Sequence, residues 1–366
     1  MPALRRPGAR RVGLAAAVAA APVALAYRFA LLYRVRAGYP RQHPPRFTPS
    51  DVGLAYESIE VPAGDTVLPG WFIPAGPDPG PGVGIVHGWE SARDRMLPHA
   101  QVLHAAGLHV LIADIRGHGA NPPETLPISG GEFGADAGHA FDALLARPEV
   151  ARGGLVGHSM GGVGALLAAA ADPRVAAVVA ISSPADPYRL TRQTFRLARL
   201  PLPNPVAYPL AWLTTHVYVR PRGHTVQDID ASRAVARVTA PLLIVHGTDD
   251  SVVPAEHQLR LARAAERGRL TTGSHAPVER VTIHGGQHSW LYEFPEFRRT
   301  VTAFLVRHLG GPLDPEDAAA RAEAVPATRL IDATGPIAAL VNEPGGFRSL
   351  GAVLRRRPVS PTHEPK

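Results

Sequence analysis

Gly154-Leu155-Val156-Gly157-His158-Ser159-Met160-Gly161 decides how this chain is read. Its first three residues form an apolar run, and an apolar helical segment, Val163–Ala171, begins two residues past Gly161. A serine between two glycines, where a strand turns into a helix, is held in a strained conformation with its hydroxyl at the C-terminal edge of a sheet. Gly157 and Gly161 are needed because side chains two before and two after Ser159 would collide in so sharp a turn. The helix entered at Met160 also aims free N–H groups at the same place, which favours an anion. A chance pentapeptide in a chain with 36 glycines is the alternative, and the flanking strand and helix argue against it.

A serine hydroxyl is inert at neutral pH without a base, and the base needs an acid to orient it. Both occur downstream, in the order Ser, Asp, His. Leu242–Val245 is an apolar strand that ends in His246-Gly247-Thr248-Asp249-Asp250. Neighbouring Asp249 and Asp250 point in different directions, so one of them meets the histidine. Val278–Ile283 is the next strand, and His284-Gly285-Gly286-Gln287-His288 follows it. His288 is the better base, since the Gly-Gly turn lifts it to the sheet edge while His284 still belongs to the strand end. Two N–H groups must also face the oxygen of a tetrahedral intermediate, each contributing about 3 kcal/mol. Met160 N–H is one candidate. Trp89 N–H, in His87-Gly88-Trp89-Glu90 after the strand Val83–Val86, is the other, and Gly88 lets that backbone come close.

Around these motifs, short apolar runs alternate with amphipathic segments: Val83–Val86, His109–Ala113, Gly154–Val156, Val175–Ile181, Leu242–Val245 and Val278–Ile283. Helical stretches fill the gaps at Met96–Ala106, Ala135–Ala146, Met160–Ala171, Ala255–Arg267 and Phe294–His308. That rhythm predicts a parallel sheet covered on both faces. Ahead of it, Tyr56–Val61 and Val67–Ile73 around Ala63-Gly64-Asp65 read as an antiparallel hairpin. The rhythm breaks between Ser183 and Thr239, where apolar residues such as Phe195, Leu200, Tyr208 and Trp212 mix with Arg189, Arg192, Arg196 and Arg199. An insertion of this length is functional or disordered as a rule, and this one is too apolar to be merely solvated. It reads as a lid over the site or as a structural cap.

With these residues in place, the chain resembles a serine-type α/β-hydrolase over residues 57–309. The Asp114-Ile115-Arg116-Gly117-His118-Gly119 turn and the insertion after the sixth strand match the same pattern. The apolar N-terminus resembles membrane-tethered bacterial hydrolases grouped with the serine aminopeptidase S33-like set, a name that does not establish peptidase activity. The resemblance implies an α/β fold with a mostly parallel eight-stranded sheet, helices on both faces and a small lid or cap. It implies Ser159 as nucleophile, His288 as base and Asp250 as acid, because Val253 and Pro254 follow Asp250 at the usual offsets. Carboxylic-ester cleavage through an acyl-enzyme leads by base rate. Thioesterase, peptidase and acyltransferase chemistry use the same residues, and a catalytically silent binding scaffold is the reading from another class. Trp89, Phe195, Trp212 and Trp290 are the candidates for the pocket wall, and the insertion suits a small-molecule or lipid-like acyl substrate.

The ends divide the chain further. Residues 1–11 are basic, 12–33 form an apolar helix, and 34–55 a Pro-rich neck. The hydrolase domain covers 56–310 with the insertion at 184–238, and a Pro/Ala-rich tail covers 311–366. Twenty-two mostly apolar residues are enough to cross about 30 Å of hydrocarbon, so 12–33 is expected to be a single-pass anchor with the catalytic domain outside the cytoplasm. Signal cleavage after Ala26, giving a secreted protein, is the alternative.

Composition excludes other classes. The chain of 366 residues is 45% hydrophobic and 19% charged, which supports a buried core. The absence of Cys removes disulfides, thiolate metal sites and a thiol nucleophile. The net charge of +7 rests almost wholly on arginine, the one lysine being Lys366. With 6% aromatics and no interleaved basic motif, nucleic-acid binding is not expected. No cofactor is expected. No metal is expected either: His284 and His288 are four apart, but Gly285-Gly286 between them opposes the helix such ligation needs.

Overall fold

The computed structural model describes residues 9–327. Its centre is one eight-stranded sheet of order β1-β2-β4-β3-β5-β6-β7-β8. The strands are β1 (Glu57–Ala63), β2 (Thr66–Ile73), β3 (Gly80–Val86), β4 (His109–Ala113), β5 (Val150–His158), β6 (Val178–Ile181), β7 (Leu242–Gly247) and β8 (Val278–Ile283). β1 and β2 form the expected antiparallel hairpin, with Ala63 opposite Thr66, and β2 also runs antiparallel to β4. From β4 to β8 all pairings are parallel.

The apolar runs lack polar alternation because both faces are covered. Side chains of a strand point to opposite faces in turn, and β6 and β7 show this directly. Val178, Ala180, Leu242 and Ile244 join the core shared with α3 (Gly130–Leu145) and α4 (Met160–Ala171). Val179, Ile181, Leu243 and Val245 join the opposite core, under α2 (Leu97–Ala105) and α9 (Pro295–Leu309). The chain reverses its direction of winding at β3, with β4 on one side and β5 on the other. Loops leaving the C-terminal ends of strands at such a point diverge and leave a crevice. His87-Gly88-Trp89 follows β3, and Ser159 follows β5.

α3 starts earlier than its apolar pattern suggests. Ser129 caps it, its hydroxyl accepting from Gly131 N–H, while Glu132 accepts the Ser129 N–H. Asp136 lies nearly two turns inside α3 and pairs with Arg116 at 2.6 Å. The insertion folds into α5 (Pro187–Leu197), α6 (Asn204–Val219) and a short α7 (Ala231–Val235). α8 (Glu256–Thr272) then leads to β8, and α10 (Pro315–Ala324) packs on α9 and α2. The apolar stretches Ile337–Val341 and Leu350–Leu354 lie outside the described residues.

The structure does not support the membrane-anchor expectation. α1 runs from Ala9 to Ala37, yet no helix among the described residues is long and apolar enough to cross a membrane. Its composition explains this: alanine, only weakly apolar, is the commonest residue of the run, with Pro22 inside the helix and Arg28 interrupting the more apolar end. That end has another use. Ala30 is fully buried, the Phe29 and Tyr33 rings meet Phe195 of α5 at 5.5 and 5.8 Å, and Tyr33 Oη shares a hydrogen bond with Thr194 Oγ1 at 2.8 Å. Tyr218 of α6 donates to Ile128 O at 2.7 Å, with Ala37 O at 3.0 Å. The second half of α1 is thus a strap across the inserted helices.

Candidate active site

Ser159 sits at φ 56°, ψ −120°, between the end of β5 and the start of α4, and its N–H is held by Ile181 O at 2.8 Å. The glycines around it have no room for a side chain. A Cβ on Gly157 would lie 2.2 Å from Gly161 O, and one on Gly161 would lie 2.1 Å from Val86 O. These contacts lock the elbow onto the end of β3, which puts Gly88 within reach: a Cβ there would stand 3.2 Å from Ser159 Cβ. Met160 opens α4 and Trp89 follows Gly88, so both candidate N–H donors belong to segments that flank Ser159.

The histidine and acid arrive from β8 and β7. His288 Nε2 lies 3.0 Å from Ser159 Oγ, and His288 Nδ1 lies 2.7 Å from Asp250 Oδ2. The ionised carboxylate only accepts, so Nδ1 carries the proton and Nε2 is left to accept the serine O–H. His288 and Asp250 are buried. Asp249 is exposed and accepts from Thr248 Oγ1, and His284 is also exposed. The geometry therefore pairs Asp250 with His288 and leaves the other two outside.

Asp250 gathers more donors than its sequence context announces. Oδ1 accepts from Val252 N–H and Val253 N–H at 2.9 and 2.7 Å. His246 Nε2–H, fully buried, is shared between Val253 O at 2.8 Å and Asp250 Oδ2 at 3.3 Å. Burial alone would raise the Asp250 pKa, but the interactions with His288 and His246 outweigh it and hold the carboxyl well below its ordinary range. His158 braces the base from the other side, its Nε2–H donating to His288 O at 2.7 Å. Burial, with His288 adding to it, pushes His158 down to about 3 and so keeps it neutral. Sequence analysis gave neither histidine a role. The available signal was position, one inside the elbow and one before Gly247 at a strand end.

Of the pocket-wall candidates, Trp89 alone lies beside the elbow, its ring against His118 and Phe133 at 5.2 and 6.4 Å. Phe195 is committed to α1. Trp212 lies on the outer face of α6, 54% exposed and 4.2 Å from the His216 ring. Trp290 is buried in the core on the α2/α9 side of the sheet. No cluster of three or more His, Asp or Glu able to hold a metal occurs among the described residues. Asp114 and Arg116 brace the loop after β4: Asp114 accepts from Arg93 N–H and Ala120 N–H, and Arg116 from its guanidinium holds Asp136.

Comparison with known proteins agrees with this architecture. The family model described as Serine aminopeptidase, S33 matches residues 78–224. An uncharacterized protein of Mycobacterium tuberculosis is 30% identical over 231 residues, covering 60% of this chain and 73% of its own. The chain belongs to the α/β-hydrolase superfamily. A Variovorax paradoxus protein named for carbamate hydrolysis, RutD, is 27% identical to this α/β-hydrolase over 262 residues, 63% of this chain and 94% of that one. Among solved structures, an esterase of Pyrococcus furiosus superposes with a TM-score of 0.59 at 24% identity, covering 75% of this chain and 99% of that one. Est1E of Butyrivibrio proteoclasticus, with ferulic acid bound, gives 0.54 at 20% identity over 68% and 98%. Both solved structures share the fold of this chain.

Proposed function

We propose that the protein is a serine hydrolase that cleaves a carboxylic ester through an acyl-enzyme. The observation that carries this is the unbroken relay from Ser159 Oγ to His288 at 3.0 Å and on to Asp250 at 2.7 Å. Ser159 Oγ attacks the ester carbonyl carbon while its proton passes to His288 Nε2. The carbonyl π electrons move to oxygen, which the Met160 and Trp89 N–H groups stabilise by about 3 kcal/mol each. Collapse of the tetrahedral intermediate expels the alcohol, which takes the proton back from His288. Water, deprotonated by His288, then releases the acid and restores Ser159. Asp250 stays ionised throughout and holds the imidazole in the tautomer that leaves Nε2 free to accept.

Hydrolysis of p-nitrophenyl esters from C2 to C16 by the full chain tests the reading. Turnover is expected, with the Ser159→Ala variant about a million-fold lower in kcat. Comparable rates in both proteins, or failure of Ser159 to react with a fluorophosphonate, would rule it out.

A further inference from the structure

Four non-glycine residues among those described have a left-handed backbone: Glu90 (φ 50°), Ser159 (56°), Ser182 (49°) and Arg199 (54°). For Ser159 the sharp turn accounts for it. Glu90 follows Trp89, one of the two candidate oxyanion donors. Side chains with a Cβ enter this conformation at a cost, and such strain collects at ligand sites where surrounding structure enforces it.

The Glu90 carboxyl is also incompletely satisfied. Oε1 accepts a long bond, 3.3 Å, from Arg41 N–H in the neck. Oε2 is buried with no hydrogen-bond partner among the described residues. Burial pushes the group up to about 7. A buried acceptor left unpaired is expensive and calls for an explanation. A brace for the neck would need only Oε1. The position suits a ligand role: two residues span at most about 7 Å, so Glu90 stays that close to Gly88, whose Cβ position lies 3.2 Å from Ser159.

We propose that Glu90 is a specificity-determining residue whose free carboxyl oxygen accepts a hydrogen bond from an N–H or O–H of the substrate. The substrate class is then an acyl compound bearing an amine or hydroxyl a few bonds from the scissile carbonyl. This rests on the serine-hydrolase reading above. A site that hydrogen-bonds a substrate donor rejects the analogue without it, because its own polar group is left unpaired.

The test compares p-nitrophenyl butyrate, 3-hydroxybutyrate and 3-aminobutyrate on the full-length protein and its Glu90→Ala, Glu90→Gln and Glu90→Gly variants. Glu90→Ala is expected to lower kcat/KM for the hydroxy and amino esters at least about tenfold more than for butyrate, chiefly through KM. Glu90→Gln, which keeps a carbonyl acceptor but no charge, retains the hydroxy preference and loses the amino one. Glu90→Gly relieves the left-handed strain, so it loses discrimination with a Tm no lower than the parent. Equal losses on all three esters, or unchanged ratios, overturn the proposal while leaving Ser159 in its role. If Ser159 is labelled by a fluorophosphonate but no ester turns over, the same ratios are read from protection against labelling by the three corresponding methyl amides. Absence of both labelling and turnover overturns the hydrolase reading and this inference with it.

Discussion

Asp250 and Asp249 are chemically identical and adjacent, yet only one of them can serve His288. Oδ1 of Asp250 is occupied by two backbone N–H groups and Oδ2 by two histidines, whereas Asp249 faces solvent. Asp250→Asn presents an amide that stabilises the wrong imidazole tautomer, and kcat is expected to fall about 10⁴-fold. Asp249→Asn should change kcat by less than about threefold, because it alters an exposed group away from the relay. Steady-state kinetics on the two variants checks this. A larger loss in Asp249→Asn than in Asp250→Asn would mean that the acid had been assigned to the wrong carboxylate.

At the scale of elements, the end of the insertion is latched to the start of α3. His224 Nε2 lies 2.6 Å from Glu132 Oε1, and its ring sits against the bare backbone of Gly131, where a Cβ would come within 2.3 Å of it. Arg222 adds bonds to Pro127 O and Glu124. The bond to Glu132 raises the His224 pKa above 6.5 against the opposing effect of burial. For Glu132 burial would raise the pKa, but His224 and Ser129 bring it below 4.5. The two signs define a window. The histidine contribution is complete below 6.5 and is lost as pH rises through its higher folded value. The carboxylate contribution is complete above 4.5 and is lost as pH falls through its lower folded value. The latch is therefore strongest between about pH 4.5 and 6.5. Melting curves of the parent and His224→Gln should differ most in that interval and converge toward higher pH. A Tm difference constant from pH 5 to 9 would contradict the ion pair.

Across the whole molecule, α1 ties the N-terminal chain to the inserted helices. Removing residues 1–37 would uncover Phe195, 2% exposed in the intact protein, and release the Tyr33 and Tyr218 hydrogen bonds. Re-exposing one or two aromatic contacts costs about 2–4 kcal/mol. Urea unfolding of the shortened chain should show that loss, with increased binding of a hydrophobic dye. Unchanged stability would mean that the strap carries no load.

The strand–helix rhythm, the elbow at Ser159 and the motifs of the candidate acid and base were legible because each is local. An uninterrupted apolar run signals burial on both faces. A glycine two residues either side of a serine signals a turn with no room for Cβ. Contacts between distant segments leave no such trace. Nothing in Phe29, Tyr33 and Phe195 taken singly shows that they meet, so α1 read as a membrane span when its aromatic end is spent on α5. Trp212 and Trp290 read as pocket wall because aromatic residues suit one, but α6 turns the first outward and the sheet places the second on its far side. His246 and His158 resembled ordinary buried histidines until packing brought one to Asp250 and the other to the His288 carbonyl. The sequence by itself determined the sheet and singled out the candidate nucleophile and the candidate base. Tertiary structure decided which carboxylate, which histidines and which helices meet, because those contacts join residues that share no local period and are set only when the two cores close on the sheet.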